Sequence, residues 1–137
     1  MQKLDLKRQM TASVAIACML GANLAFAGKS AALDPIKKEL RSVPTAEMAA
    51  QAAKLVSAAR PETAEATATD VVTAAIELKS ATAVAVVSAI ARQNKELAPA
   101  VAAKAAALLP KEAAVIARSA AGAAPTEAAK IAFAVCK

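Results

Sequence analysis

Apolar side chains recur every three or four positions between residue 44 and residue 137, which is the period of an amphipathic α-helix. Prolines interrupt this pattern, and a proline suits the first turn of a helix while it disfavours continuation of the preceding one. The stretch 81–93 is apolar nearly all round, so we expect it to be the buried, central helix. The pattern predicts helices at roughly 45–60, 62–79, 81–93, 97–108, 113–122 and 126–137.

Three weaker signals concern the leader and the ends of two helices. Residues 28–33 are small or polar and are expected to form a loose leader. Asp34 and Pro35 suit the N-cap and the first position of a short helix that ends before Pro44. Gly122 is expected to close its helix in the left-handed conformation that glycine tolerates.

Alanine makes up about a third of residues 28–137, whereas glycine is rare. Alanine has the highest intrinsic helix propensity, because its side chain loses no rotamer entropy when the helix forms. A methyl group contributes little to a core, so alanine-rich helices must approach one another closely. We therefore predict an all-α fold of short helices in helix–turn–helix repeats, stacked as a compact solenoid or an orthogonal bundle.

The N-terminal residues have the composition of a secretory signal peptide. A basic segment at 3–8 precedes the uncharged, mostly apolar stretch 10–24. The small residues Ala25 and Ala27 then stand at positions −3 and −1 of a signal-peptidase site. Cleavage is predicted after Ala27, so that the mature chain begins at Gly28.

The chain is predicted to have three segments. These are a signal peptide at 1–27, a leader and short helix at 28–43, and an alanine-rich helical-repeat domain at 44–137. The signal predicts export, to the periplasm or the outside of a bacterial cell.

Two alternatives stay open at the N-terminus. Residues 9–28 would form an anchor if they were not cleaved, and Cys18 would be a lipidation site, although leucine is missing three positions before it.

A short sequence repeat runs through the domain: alanine, a cation, and a proline seven residues after the cation. It occurs at Lys54, Arg92 and Arg118; at Lys104 the proline follows after six residues, and Lys130 begins a fifth, shortened unit. Stacked repeats align equivalent positions, so these five cations form a candidate basic stripe. In the alternative interpretation, each cation is the solvent-facing residue of its own helix.

Three segments carry a resemblance: Ala-Ala-Lys-Leu-Val-Ser-Ala-Ala-Arg-Pro at 52–61, Leu-Leu-Pro-Lys-Glu-Ala-Ala-Val-Ile-Ala-Arg at 108–118, and Ala-Ala-Pro-Thr-Glu-Ala-Ala-Lys-Ile at 123–131. Together with the signal-like N-terminus, they resemble a group of exported, Ala-rich, Pro-punctuated helical-repeat proteins of bacteria. The resemblance spans about residues 1–137 and implies export and a helical repeat. It implies no activity and supplies no functional residues.

The residue types that catalysis most often needs are scarce. The chain has no histidine, which is the commonest general base and metal ligand, and signal cleavage would leave Cys136 as the single cysteine. Glutamates stand mostly in predicted first turns, where an acid complements the positive end of the helix dipole. We therefore expect a protein that is not an enzyme and that has no cofactor and no metal site.

The expected function is a structural or protein-interaction role in the cell envelope. Ala129, Phe133 and Cys136 lie near one side of the last predicted helix and form a candidate interface. Through this helix, or through a Cys136 bridge, the chain is expected to form a homodimer. In the alternative interpretation, Cys136 is a small buried hydrophobe.

The alternative function is binding to an anionic membrane surface or polysaccharide through basic helix faces, which include Lys37, Lys38 and Arg41. Signal cleavage removes three cations and one acid, which lowers the formal net charge from +6 to +4 and leaves a modest basic excess. Nucleic acid is not expected as a partner, because export separates the chain from the nucleic acid of the cell. Aromatic residues for base stacking are also nearly absent.

Overall fold

The computed structural model describes residues 28–137, with side chains from Leu33 onward. All regular structure in this part of the chain is helical, so the all-α prediction is confirmed. The predicted cleavage residues Ala25 and Ala27, and the rest of the signal-like segment, lie outside the described residues. The helices are α1 Gly28–Arg41, α2 Met48–Ser57, α3 Ala64–Leu78, α4 Ala83–Gln93, α5 Ala98–Leu108, α6 Ala113–Ala123 and α7 Ala128–Val135.

Each helix from α3 to α7 follows a short 3₁₀ turn. These turns begin at Pro61, Ser80, Lys95, Pro110 and Pro125. Proline fits the first position because the N–H group that it lacks would have no helical partner there. The last four turns begin at equal intervals along the chain, at positions 80, 95, 110 and 125, and α4, α5 and α6 are equal in length. The late part of the domain is therefore a regular repeat. One unit runs from the first residue of a turn to the residue before the next turn, as in 80–94.

The same period also fixes which side chains are buried. Each helix from α2 to α7 has at least one almost completely buried β-branched residue, and one series of them recurs with the spacing of the turns: Val56, Val71, Val86, Val101, Ile116 and Ile131. An alanine stands three positions before each of them, one helical turn away on the same face. This pair is the packing unit of the repeat, whereas the alanine–cation–proline pattern of the sequence recurs at irregular intervals.

The helices stack in two layers. The first layer contains α1, α3, α5 and α7, and the second contains α2, α4 and α6, with each helix packed against the next helix but one. Most consecutive helices also pack across the two layers. This is the contact pattern of stacked helical repeats, in which a unit touches its neighbours only. The central helix α4 lies between α2 and α6, which agrees with its apolar sequence.

The core is built largely from alanine. Its largest fully buried side chains are Leu40, Ile90, Ile116 and Ile131, and most of its other members are valine and alanine. Small side chains allow two helix backbones to approach closely, so that many weak dispersion contacts replace a few large apolar residues. Stability therefore depends on close approach along the whole stack and on the helix propensity of alanine.

The prediction of a loose leader was wrong. The helix α1 begins at Gly28, and Pro35 lies inside it. The alanines and leucine before the proline favour helix, and the exposed Pro35 does not prevent α1 from packing through Leu33, Ile36 and Leu40. Asp34 is accordingly a residue of the helix and not its N-cap.

The prediction for Gly122 was also wrong. This residue lies within α6, with no left-handed backbone conformation. The helix is closed by the next residue, Ala124, whose backbone (φ −131°, ψ 72°) leads into the next 3₁₀ turn. Asn94 and Leu109 end α4 and α5 in the same conformation, with φ of −131° and −128°. A residue with negative φ need not be glycine, so the repeat closes these helices without one.

Candidate functional site

The outer face of α7, formed by Ala129, Ala132, Phe133 and Cys136, is exposed. These residues are spaced by three, one and three positions, which places them along one side of a helix. The opposite side of α7 packs against α5 and α6 and buries Ile131 completely. Phe133 is 66% exposed, the largest value among the big apolar side chains of the described part of the chain. The sequence predicted this face without Ala132, which helical geometry adds between the other members.

Elsewhere in the stack, the corresponding face of a helix is more buried. The corresponding positions of α5, two repeats earlier in the same layer, are more buried in each case: Pro99, Ala102, Ala103 and Ala106. The same difference appears in the second layer, where Ala114 and Arg118 of α6 are exposed and the corresponding residues of α4 are half-buried. The outer face of α7 is therefore a stacking surface of the repeat that is uncovered in this structure.

The α1 end of the stack has a different chemistry. Asp34, Lys38, Glu39 and Arg41 are exposed there, whereas Ile36 and Leu40 point into the stack. Lys37 donates to Glu77 of α3, with 2.5 Å between Nζ and Oε2. A polar outer surface is typical of a helix that caps a solenoid, because it leaves no apolar surface for another repeat. The described outer surface of α1 is thus polar, whereas the outer face of α7 is apolar.

Charged groups flank the outer face of α7. Lys130 Nζ lies 2.8 Å from Glu127 Oε2, and this hydrogen bond, together with the charge of the carboxylate, raises the pKa of Lys130 above its ordinary value. Lys137 Nζ lies 4.7 Å from the centroid of the Phe133 ring, within the range of a cation–π interaction. The face is therefore apolar along its centre, with an acid at the start of the helix and a cation at its end.

Cys136 ends α7 and carries a free thiol that is exposed. Its interpretation as a buried small hydrophobe was therefore wrong. Because α7 is the outermost helix of its layer, the position that is buried as Ala106 in α5 is uncovered at Cys136.

The structure does not align the five cations of the candidate basic stripe. Lys54 is on α2, Arg92 on α4, Lys104 on α5, Arg118 on α6 and Lys130 on α7, so that they are divided between both layers. No two of them are separated by a whole number of repeats, so each occupies a different position of the repeat. Lys104 is half-buried and the other four are exposed.

The acidic side chains are distributed among several turns and helix starts. Glu62, Glu112 and Glu127 stand in three different 3₁₀ turns, and Glu47 and Glu65 lie at the starts of α2 and α3. Within residues 28–137, no three histidine, cysteine or carboxylate side chains come together as metal ligands would. Among the helices of this range, none has both the length and the apolar character needed to cross a membrane.

Comparison with known proteins finds no matching family model, curated protein or solved structure.

Proposed function

We propose that this chain is an exported, non-enzymatic helical-repeat protein with a structural or protein-interaction role in the cell envelope, and that it associates with itself through the outer face of α7. One observation carries the proposal: Phe133 is 66% exposed, whereas the corresponding residue of α5, Ala103, is half-buried inside the stack. An aromatic side chain gains more than most others from burial, since it has a large apolar surface and few rotamers to lose.

The proposal of export rests on the sequence of residues 1–27. The proposal of self-association rests on the exposed residues of α7. Repeat proteins use their surfaces for binding, and an uncovered apolar stacking surface favours association.

The experiment is sedimentation velocity over a range of concentrations, on protein purified from cells that express the full chain, residues 1–137. Intact mass is measured first, and a chain that begins at Gly28 supports export. We expect the sedimentation coefficient to rise with concentration. The Phe133→Glu variant is expected to stay monomeric, because association would bury the new charge without a partner.

Ala85→Glu is the matched control, because Ala85 is exposed on α4 in the middle of the stack. It adds the same charge and should associate as the wild type does. A wild-type chain that sediments as a monomer at every concentration would contradict the proposed self-association.

Binding to an anionic surface stays an untested prediction. Lys38 and Arg41 are exposed on α1, but Lys37 is paired with Glu77 and the five repeated cations are dispersed. Salt-sensitive binding to anionic vesicles that is unchanged in Phe133→Glu would favour this alternative, because it would be independent of the outer face of α7.

A further inference from the structure

We propose that the outer face of the second layer binds the headgroups of an anionic lipid surface. This face consists of the outward residues of α2, α4 and α6, among them the cations Lys54, Arg92 and Arg118 and the exposed apolar residues Ala85 and Val115. The binding is separate from the outer face of α7 and independent of self-association. It assigns the anionic-surface alternative to one face of the molecule and to one class of partner.

Charge is distributed unequally between the two layers. The charged residues within the helices of the second layer are all cations: Lys54, Arg92 and Arg118. The acidic residues that lie within the described α-helices all belong to α1 and α3 of the first layer: Asp34, Glu39, Glu65, Asp70 and Glu77. Glu47 and Glu112 precede α2 and α6, about two helical turns before the cations of these helices. The second layer is therefore cationic along the body of its helices.

The three cations lie on the same side of their helices. Relative to the member of the buried valine–isoleucine series in its own helix, Lys54 stands two positions earlier, Arg118 two later and Arg92 six later. These positions are four residues apart, which is about one turn, so they share one side of the helix. A residue two positions from the buried one is turned about 200° away from it. The three cations therefore point away from the core, which agrees with their exposure.

The helix dipole accounts for only part of this pattern. Lys54 and Arg92 lie in the last turns of α2 and α4, where a cation complements the negative end of the dipole. Arg118 lies in the middle of α6, where the dipole does not favour a cation. An external anion explains all three positions together.

None of the three cations of the second layer has a carboxylate partner among residues 33–137. The ion pairs in this range are Lys37–Glu77 and Lys130–Glu127, both outside the second layer. An unpaired cation can bind an external anion without first losing an internal ion pair. The cations of the second layer are therefore available to a partner.

Apolar side chains accompany these cations, which favours a lipid surface over a polysaccharide. Val115 is 53% exposed and lies three positions before Arg118. Ala85 is exposed at the same position of the repeat in α4. On a helix face that lies in a membrane interface, cations bind the headgroups and apolar side chains enter the boundary with the acyl chains. A polysaccharide offers no such apolar region to Val115.

The experiment is co-sedimentation with vesicles of equal parts phosphatidylglycerol and phosphatidylcholine, on protein from cells that express residues 1–137. Intact mass is determined for each preparation, because the apolar residues 10–24 would bind lipid themselves if they were retained. We expect the wild type to bind, and to be released when salt is raised from about 0.1 M to about 1 M. The triple variant Lys54→Gln, Arg92→Gln, Arg118→Gln should bind on the order of a hundredfold more weakly, at about fivefold for each cation.

The matched control removes three cations from the first layer: Lys38→Gln, Arg41→Gln and Lys104→Gln. A helix layer about 10 Å thick separates these residues from the outer face of the second layer, and salt screens charges over that distance. Binding should therefore fall about threefold or less. Circular dichroism checks that both triple variants are as helical as the wild type. Equal losses in the two variants would overturn the assignment, because net charge alone would then explain the binding.

A gain of binding cannot result from misfolding. Ala85→Lys adds a cation to the outer face of the second layer and should strengthen vesicle binding about fivefold. Ala107 is exposed on α5 in the first layer, and Ala107→Lys should leave binding within about twofold of the wild type. An equal gain in both variants would contradict the proposed face.

The remaining outcomes separate the partners and the two proposals. Wild-type binding to anionic vesicles that is no stronger than binding to pure phosphatidylcholine overturns the proposal. Tighter binding to dextran sulfate than to vesicles, lost in the second-layer triple variant, replaces lipid by an acidic polysaccharide. Phe133→Glu leaves the second layer unchanged and should bind vesicles as the wild type does. Vesicle binding by a chain that stays monomeric supports this face and contradicts self-association through α7.

Discussion

Two neighbouring residues of α6 show how strictly position determines burial in this protein. Ile116 is fully buried, whereas Val115 is 53% exposed. Both are β-branched and apolar, so their chemistry does not distinguish them. A step of one residue turns a helix by about 100°, and this rotation moves the side chain from the core to the solvent. At the residue scale, stability therefore depends on the position within the repeat more than on the residue type.

Replacing Ile116 by alanine is expected to lower the free energy of unfolding by about 2–5 kcal/mol, because it removes buried apolar surface and leaves a cavity. The measurement is urea denaturation followed by circular dichroism. Val115→Ala on the adjacent, exposed position should change the free energy by about 0.5 kcal/mol or less. Equal losses in the two variants would contradict the assigned burial.

At the scale of the element, each helix from α3 to α7 follows a 3₁₀ turn, and α4, α5 and α6 are each closed by one residue with φ near −130°. The prolines made the starts predictable, since Pro61, Pro110 and Pro125 occupy the first position of their turns. The ends carried no such signal. The residues that close α4, α5 and α6 are Asn94, Leu109 and Ala124, which share no chemical property. A helix end was predicted at Gly122 because it is the only glycine after residue 28.

Gly122→Ala is expected to raise the free energy of unfolding by about 0.5–1 kcal/mol, since alanine has less backbone entropy to lose in a helix. No heavy atom of a neighbouring residue lies within 4 Å of the position that the new Cβ would occupy. The shift of the urea midpoint measures the effect. A left-handed glycine would give the opposite sign, so a destabilised variant would refute the helical assignment.

At the scale of the whole molecule, stability is spread along a stack in which each helix touches only near neighbours. In such a stack the free energy of unfolding is approximately a sum over repeats and over the interfaces between them. A step of two repeats returns to the same layer, because successive helices alternate between the two layers. The molecule should therefore tolerate a change in length that is made in steps of two repeats.

Inserting a second copy of residues 95–124 between Ala124 and Pro125 adds two repeats and keeps α7 in its layer. We expect the urea midpoint to rise, because two more interfaces contribute to the same cooperative unit. The control is the same insertion with Val101 and Ile116 of the added copy replaced by serine, which removes its buried apolar residues and should cancel the gain. An unchanged midpoint for the intact insertion would contradict additive stacking.

Local signals in the sequence determined the helical class and most helix starts. Alanine favours helix through its own backbone and side-chain entropy, and proline acts on the residues directly beside it. Periodicity also placed Ala129, Phe133 and Cys136 on one side of α7, because a helix has a fixed rotation per residue. These properties need no contact between distant residues, so they are visible in the chain itself.

Only the tertiary structure decided the register of the repeat, the two layers and which faces are covered. The period of the repeat depends on alanine and β-branched residues that are common throughout the chain, so burial was needed to distinguish Val86, which is buried, from Val84, which is half-buried. The cations of the sequence repeat occupy different positions of the structural repeat, because packing constrains solvent-facing residues only weakly. Exposure of Phe133 and Cys136 likewise depends on what packs against α7, which is a property of the stack and not of the helix.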